Sequence, residues 1–351
     1  MIRYLLLGRL WPLLLLCMSR FIIAAESAPA SVSAAATAVI ASVPVLEADP
    51  VVVPGWFGST GRWLELQRDT FSGVVNDSAE GLDAYIAREN FDGSIANESY
   101  IKVQLKQRVS TTDGYGFDAT VRARVRLPNS KRKWRLTFDS DPDDFDRLAD
   151  RNRNQTPGFN SPKTLKEDAI AGISLEKYLG KNWDSNYSLG VRLGFPIDTY
   201  ARVNWVHSRT IGEHWQSRFK QGFSYFHSDG WKSETRKSFY RPLSPGWLLQ
   251  SSTGAQYLNK DTNWELFQSL SLHQRISADS AFEHQLGISG DSRPTLRYNG
   301  YWLRSELRHR LYEDWLLVKL TPELYFDRAE RFHATPSLFL ELEIYFGKAP
   351  D

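Results

Sequence analysis

The chain has 351 residues, and its formal net charge of +2 is too small to favour a nucleic-acid partner. A mean hydropathy of -0.42 excludes a protein built of membrane-spanning helices. Aromatic residues make up 13% of the chain, with 12 Trp, which is more than a soluble protein usually carries. The single cysteine is Cys17, so disulfides, thiolate metal sites and cysteine nucleophiles are excluded for the rest of the chain.

The first 25 residues have the composition of a leader. Arg3 and Arg9 precede an apolar run that Arg20 interrupts. This run is shorter than the ~20 residues that a membrane-spanning helix needs, so we predict an exported protein with a signal peptide over 1–25. Residues 26–55 consist mainly of Ala, Ser, Val and Pro without a period, which indicates a disordered linker.

Residues 56–95 differ from this linker. The stretches RWLELQRDTFSGVV and SAEGLDAYIAREN carry apolar residues at helical spacing. We predict a short helical segment over 56–95, with two helices and no chemistry of its own.

From residue 98 to 347 the chain alternates between apolar and polar residues. Residues 116–127 show the pattern most clearly, with Phe117, Val121 and Val125 on one face and three arginines on the other. A period of two predicts β-strands with one face in contact with a lipid or a core. The predicted strands are 101–109, 116–127, 133–139, 168–179, 183–195, 199–210, 213–227, 231–241, 246–258, 262–276, 281–290, 297–311, 314–327 and 334–347.

We predict about fourteen strands, with a range of 12–16. The segment 231–240, WKSETRKSFY, has no apolar face, which leaves open that it projects above a bilayer or that the count is twelve. About 18 residues for each strand and turn suits membrane strands of ~9–11 residues.

The last strand, 334–347, ends the series. Leu338, Leu340 and Leu342 share one face, Glu341 and Glu343 the other, and an aromatic residue stands almost at the chain end. This strand resembles the C-terminal signal of bacterial outer-membrane β-barrels, which the barrel-assembly machinery reads. The resemblance covers roughly 98–347, is porin-like in architecture, and implies an antiparallel transmembrane β-barrel in the bacterial outer membrane.

Tryptophan placement agrees with this resemblance. Six tryptophans stand at the first residues of predicted strands: Trp183, Trp215, Trp231, Trp247, Trp264 and Trp315. Indole rings prefer the membrane interface, so their recurrence at strand starts indicates an aromatic girdle. An even strand count places both termini on the periplasmic side, and the long acidic loop 141–166 then lies outside the cell, in solvent.

Charged residues recur on the polar faces of the predicted strands. They line a wet pore that attracts anions, or they form ion pairs that fill a narrow barrel. Because the first and last strands must meet, we favour pairing of Lys102, Lys106 and Arg108 with Glu341 and Glu343. The predicted lumen-lining residues are Arg122, Arg124, Arg126, Arg304, Arg308, Arg310, Glu341 and Glu343.

Within this set, the stripe of Arg122, Arg124 and Arg126 has no equally rich acidic neighbour in residues 134–139. It is therefore the predicted functional surface. Asp139, Asp141 and Asp143 have the first spacings of a calcium loop, but Asp144 stands where glycine is needed. We expect no specific metal site and no cofactor.

An enzyme is the alternative from another class, because some outer-membrane barrels modify lipids. Ser271 and His273 share a polar face, and a three-residue turn sets Glu283 opposite His273. This is a weak outline of nucleophile, base and orienting carboxylate, since same-face residues two apart lie ~7 Å from each other.

The expected function is passive passage of small, anionic solutes or a structural role in the envelope. The alternatives are an acyl-hydrolase type of lipid-modifying enzyme and a barrel that anchors a periplasmic partner through 56–90. The expected contacts are outer-membrane lipid and lipopolysaccharide, with the assembly machinery binding 334–347.

Overall fold

The structure is a computed structural model that describes residues 68–81, 83, 98–127, 134–140, 142, 147–153, 169–180, 182–194 and 197–347. The predicted signal peptide (1–25) and linker (26–55) lie outside the described residues.

In the described part of the chain, fourteen antiparallel strands form one closed barrel. Each strand pairs with its neighbours in sequence, and β1 pairs with β14 to close the ring. The predicted all-β barrel of about fourteen strands is therefore confirmed. The strands are β1 (Tyr100–Ser110), β2 (Gly114–Leu127), β3 (Trp134–Asp139), β4 (Ile170–Gly180), β5 (Trp183–Arg192), β6 (Asp198–Ile211), β7 (Trp215–Phe226), β8 (Gly230–Ser244), β9 (Trp247–Leu258), β10 (Asn263–Arg275), β11 (Ser280–Asp291), β12 (Arg297–Tyr312), β13 (Leu316–Asp327) and β14 (Ala334–Gly347).

The two ends of the barrel differ in their connections. We call the end where β1 starts and β14 stops the terminal rim, and the opposite end the loop rim. The longest connection, 140–169 between β3 and β4, belongs to the loop rim.

The two faces of the sheet have opposite character. On the outer face, Leu189 is 62% exposed and Leu286 is 54% exposed, whereas the inner-face Glu341 and Glu343 are 4% and 2% exposed. A soluble protein buries its leucines and exposes its glutamates. The reversal is the pattern of a barrel whose outer face contacts hydrocarbon.

Exposed aromatic rings mark the ends of this outer face. Trp183 lies at the terminal rim, and Trp231 and Trp264 lie at the loop rim. Trp315 differs from the prediction, because it is buried against Tyr100 and Tyr345 at the terminal rim.

The segment without an apolar face, 231–240, is a full barrel strand within β8. It pairs along its length with β7 and with β9. Backbone hydrogen bonds to two neighbours hold the strand in the barrel whatever its outer side chains are, so the alternative of twelve strands is wrong.

One helix, α1, covers residues 68–81 and lies against the end of β14. The Phe71 ring is 6.1 Å from the Phe346 ring, and the Gly347 N–H donates to Ser72 Oγ at 2.9 Å. Arg68 also donates to the carbonyl oxygen of Gly347 at 3.2 Å. The predicted short helical region is thus present, and the second predicted helix lies largely outside the described residues. None of the described helices has the length and apolarity needed to cross a membrane.

Candidate functional site

The interior of the barrel next to the closing seam is a ladder of ion pairs. Lys102 Nζ lies 3.1 Å from Glu343 Oε1 across the β1–β14 pair. Lys319 Nζ on β13 lies 2.6 Å from Glu341 Oε1 and 3.0 Å from Glu343 Oε1. These glutamates are therefore neutralised by lysines of both neighbouring strands.

The arginine stripe of β2 has acidic partners as well. Arg122 Nε lies 2.6 Å from Asp139 Oδ2, its register partner in β3. Arg126 pairs with Glu98, just before β1. Arg124 instead lies 5.9 Å over the Tyr100 ring. Within residues 134–139, Asp139 is thus the one acidic side chain opposite the stripe, and Glu98 supplies a second from outside that range.

The three predicted arginines of β12 have different surroundings. Arg304 Nη2 lies 3.6 Å from Glu283 and 3.8 Å from Glu306. Arg310 pairs with Asp314 at 2.7 Å in the exposed turn at the terminal rim. Arg308 stands in register with Lys319, and within the described residues it makes no ion pair.

The loop between β3 and β4 folds inward. Its described part contains a short helix, α2 (Leu148–Asn152), and Leu148 has no exposed surface. We call Arg147–Arg153 the constriction segment. The expectation of a solvated external loop is wrong for this segment, because its side chains have partners on the barrel wall.

Two arginines tie the constriction segment to separate parts of the wall. Arg151 Nη1 lies 2.7 Å from Glu234 Oε2 on β8. Arg153 donates two hydrogen bonds to Glu323 on β13, from Nη2 to Oε1 at 2.7 Å and from Nε to Oε2 at 3.3 Å. The Arg153 guanidinium also lies 3.8 Å from the centre of the Tyr325 ring. Because β8 and β13 stand five strands apart, the two arginines attach the segment to well-separated parts of the inner wall.

Leu148 fixes the segment through apolar and backbone contacts. Its side chain packs in a buried cluster with Phe267 of β10 and Trp302 of β12, against which Tyr325 also packs. Its backbone N–H donates to Glu265 Oε2 at 2.8 Å. This apolar anchor lies inside the barrel, as does a second buried cluster of Ile170, Tyr200 and Phe226.

Two glycines of the wall make room for this cluster. A Cβ at Gly254 would lie 2.1 Å from the Phe267 ring, and one at Gly287 would lie 2.2 Å from the Trp302 ring. Each ring therefore occupies the space that a side chain on the neighbouring strand would otherwise fill. The Trp302 indole N–H is held by Gln285 Oε1 at 2.8 Å.

A cavity of about 590 Å³ opens at the loop rim beside the constriction segment. We call it the outer vestibule. Its charged lining has six basic and four acidic side chains: Arg147, Arg192, Lys232, Lys260, Arg293 and Arg297, with Asp229, Asp261, Glu265 and Asp291.

Asp229 joins several of these charges in the β7–β8 turn. Lys260 lies 2.6 Å from Asp229 Oδ1, and Arg192 lies 3.1 Å from Asp229 Oδ2. Burial alone would raise the pKa of the Asp229 carboxyl, but Lys260 and Arg192 outweigh burial and lower that pKa. The Asp229 carboxylate is therefore charged at neutral pH and holds the Lys260 and Arg192 side chains of the vestibule in place.

The structure brings together two of the three weak catalytic candidates. His273 and Glu283 are register partners, with His273 Nδ1 3.8 Å from Glu283 Oε2. His273 Nε2 lies 3.1 Å from Gln250 Oε1, and Ser271 Oγ accepts a hydrogen bond from Gln285 Nε2 at 3.1 Å. Within the described residues, Ser271 and His273 are not hydrogen-bonded to each other, so no activated nucleophile is assembled.

The described residues contain no group of three or more His, Cys, Asp or Glu that could hold a metal ion. Asp139 of the calcium-like spacing is paired with Arg122, and Asp141 and Asp143 lie outside the described residues.

Sequence reasoning did not find the constriction segment. Its three anchors, Leu148, Arg151 and Arg153, lie in a loop that reads as uniformly charged. The one available signal is Leu148 followed closely by two arginines, which is an apolar residue where a solvated loop does not need one.

A closed antiparallel barrel with an apolar outer belt, rings of aromatic residues and a charged interior is a transmembrane β-barrel of the porin-like kind. No protein-family model matches the sequence, and no curated protein matches it either.

Solved outer-membrane channels align with the barrel at low identity. The NanC porin is 6% identical with a TM-score of 0.36, and the alignment covers 69% of this chain and 98% of that chain. OccK5 (OpdH) of Pseudomonas aeruginosa is 9% identical with a TM-score of 0.44, covering 71% and 98%. OmpT of Vibrio cholerae, as a loop L8 deletion mutant, is 8% identical with a TM-score of 0.43, covering 71% and 99%.

Proposed function

We propose that the protein is an outer-membrane channel for passive passage of small solutes, and that the constriction segment sets its size limit. The observation that carries the proposal is a polar, charged interior in a barrel whose outer face is apolar. A barrel needs such an interior only if water or a solute enters it, or if a plug fills it.

The outer vestibule supports a preference for anions. Its lining carries more basic than acidic side chains, and rings of basic residues favour anions in pores. Beyond the vestibule a solute would pass the constriction segment and then the ion-pair ladder. We propose that the path is lined by Arg122, Arg124, Arg126, Arg304, Arg308, Arg310, Glu341 and Glu343.

Ion selectivity in planar bilayers tests this proposal. Under a potassium chloride gradient, the reversal potential of the wild-type channel should indicate that chloride crosses more readily than potassium. Arg147→Glu together with Arg293→Glu, both in the vestibule, should shift the reversal potential towards potassium. Arg331→Glu, in an exposed turn at the same rim, should leave it unchanged. A wild-type channel that prefers potassium would contradict the anionic path.

A sealed barrel with a structural role is the second candidate. The double anchoring of the constriction segment to β8 and β13 favours it, because such a plug would close the lumen. Wild-type protein would then carry no current, whereas a variant in which both Arg151 and Arg153 are replaced by alanine would.

Two further partners are proposed, the barrel-assembly machinery and a periplasmic protein. We propose that β14 (Ala334–Gly347) is the segment that the assembly machinery binds, since its alternation and final aromatic residue match the resemblance. A periplasmic partner bound through 56–90 would contact α1 at the terminal rim, and its loss on deletion of that segment would be seen by co-purification.

A further inference from the structure

The outer face of β7 to β10 carries a cluster of polar residues among apolar ones such as Phe223 and Leu270. Every outward residue of β13 and β14 is apolar, including Leu320 and Leu340. On β7 to β10, the same face carries amide, hydroxyl and amine groups. We call the following residues the polar patch: Gln221, Ser233, Thr235, Lys237, Ser251, Thr253 and Gln268.

Register places the patch on the outer face. Thr235 pairs with Gln221 and with Ala255, and Thr253 pairs with Lys237 and Gln268. These positions alternate with the buried inner-face residues of β8, such as Glu234, and share their parity with the 61% exposed Trp231.

The patch lies between the aromatic ends of its strands. Trp215 and Tyr225 stand on either side of Gln221 in β7, and Trp247 and Tyr257 stand on either side of Thr253 in β9. Side chains between the two aromatic belts face hydrocarbon, where no water satisfies a donor or an acceptor.

Hydrogen bonds within the barrel satisfy only some of the donors and acceptors of the polar patch. Gln221 Nε2 donates to Ser233 Oγ at 3.2 Å, and Gln221 Oε1 accepts from Thr235 Oγ1 at 2.5 Å. Gln268 Nε2 donates to Ser251 Oγ at 3.1 Å, and Gln268 Oε1 accepts from the Thr253 hydroxyl. Among the described residues, the hydroxyl groups of Ser233 and Ser251 accept these bonds but donate none.

Of the polar patch, Lys237 carries the charge, so its exposure to lipid costs the most free energy. Its ammonium lies 5.3 Å from the Phe239 ring and 5.8 Å from the Phe219 ring. In the described part of the chain it forms no ion pair with a carboxylate. A lysine on the lipid face of a barrel is destabilising in proportion to its depth, so oxygen atoms from a partner would relieve it.

We infer that the polar patch is an interface between two copies of this chain. Serine, threonine and glutamine each carry a donor and an acceptor, so the patch is complementary to itself under a two-fold axis. Lipid tails offer neither group. Four adjacent strands span about 14 Å, which gives a second barrel wall room to contact all of them.

Site-directed cross-linking tests the interface, because Cys17 is the single cysteine. In a Cys17→Ser background, Thr235→Cys on β8 is compared with Leu340→Cys on β14 as an exposed outer-face control. Native membranes are treated with an oxidant and with a short bis-maleimide. Thr235→Cys should give at least tenfold more product of twice the chain mass than Leu340→Cys. Equal yields, no product, or a product with a protein of another mass would overturn the inference.

A second measurement does not depend on cysteine geometry. Native mass spectrometry of the wild-type protein in mild detergent should show a dimer. The variant Gln221→Leu, Thr235→Val, Gln268→Leu should show a monomer while staying compact on a gel until boiled. A monomeric wild type, or a folded triple variant that remains dimeric, would overturn the inference. If the triple variant does not fold, the inference is tested by the mass of the wild-type protein in native mass spectrometry and by the cross-linking of Thr235→Cys.

Discussion

Lys319 illustrates at the scale of one residue how the interior is neutralised. Its ammonium is shared by Glu341 and Glu343, and all three side chains are at most 7% exposed. Removing one member of a buried ion pair leaves uncompensated charge, whereas exposed pairs contribute little. The exposed comparison in this protein is Lys260, whose side chain is 64% exposed and pairs with Asp229.

We therefore expect Lys319→Met to lower the free energy of unfolding by about 3 kcal/mol. Lys260→Met should lower it by less than about 1 kcal/mol. Urea unfolding in liposomes, followed by the shift in gel mobility, measures both. Equal losses would show that the interior pair is as well hydrated as the surface pair.

Gly287 is the second informative residue, because the Trp302 ring occupies the place of its missing side chain. Trp302 is also fixed by its bond to Gln285, so it has little freedom to move. Gly287→Ala should destabilise the barrel by about 1–3 kcal/mol through overpacking. Gly73→Ala in α1, where a Cβ meets nothing within 4 Å, should cause no loss. A neutral Gly287→Ala in the same unfolding assay would show that the ring shifts freely.

At the scale of elements, the strands were predictable and the inserted helix was not. Alternation in β2 and β14 is a local property, and pairing with adjacent strands follows from it. The constriction segment depends on contacts such as Arg153 with Glu323, 170 residues apart, which no local pattern carries. In the arginine stripe, the pairing of Arg122 with Asp139 follows from the β2–β3 register, and Arg126 pairs with Glu98 outside residues 134–139.

The constriction segment yields an element-scale prediction. Arg151→Ala together with Arg153→Ala removes its links to β8 and β13, so the segment should leave the lumen part of the time. Single-channel conductance should rise at least twofold, with frequent switching between levels. Arg331→Ala, in an exposed turn at the loop rim, is the control and should behave as wild type. Unchanged conductance in the double variant would mean that the segment does not limit the path.

At the scale of the whole molecule, the account depends on a closed sheet with an apolar outer face and a charged inner face. The β1–β14 pair closes the sheet, and every residue from Tyr100 to Ser110 has a partner in β14. Along this pair, each residue can therefore be assigned to the outer or the inner face. The polar patch lies on β7 to β10, whereas the outward residues of β13 and β14 are all apolar.

The most direct test is a cysteine scan of residues 338–343 in a Cys17→Ser background. Each variant carries an environment-sensitive fluorophore and is reconstituted into liposomes that contain brominated lipid. Quenching should alternate, strong at Leu338, Leu340 and Leu342 and weak at Phe339, Glu341 and Glu343, because only the first set is on the outer face. Quenching of equal strength along the whole stretch would contradict a lipid-facing barrel wall.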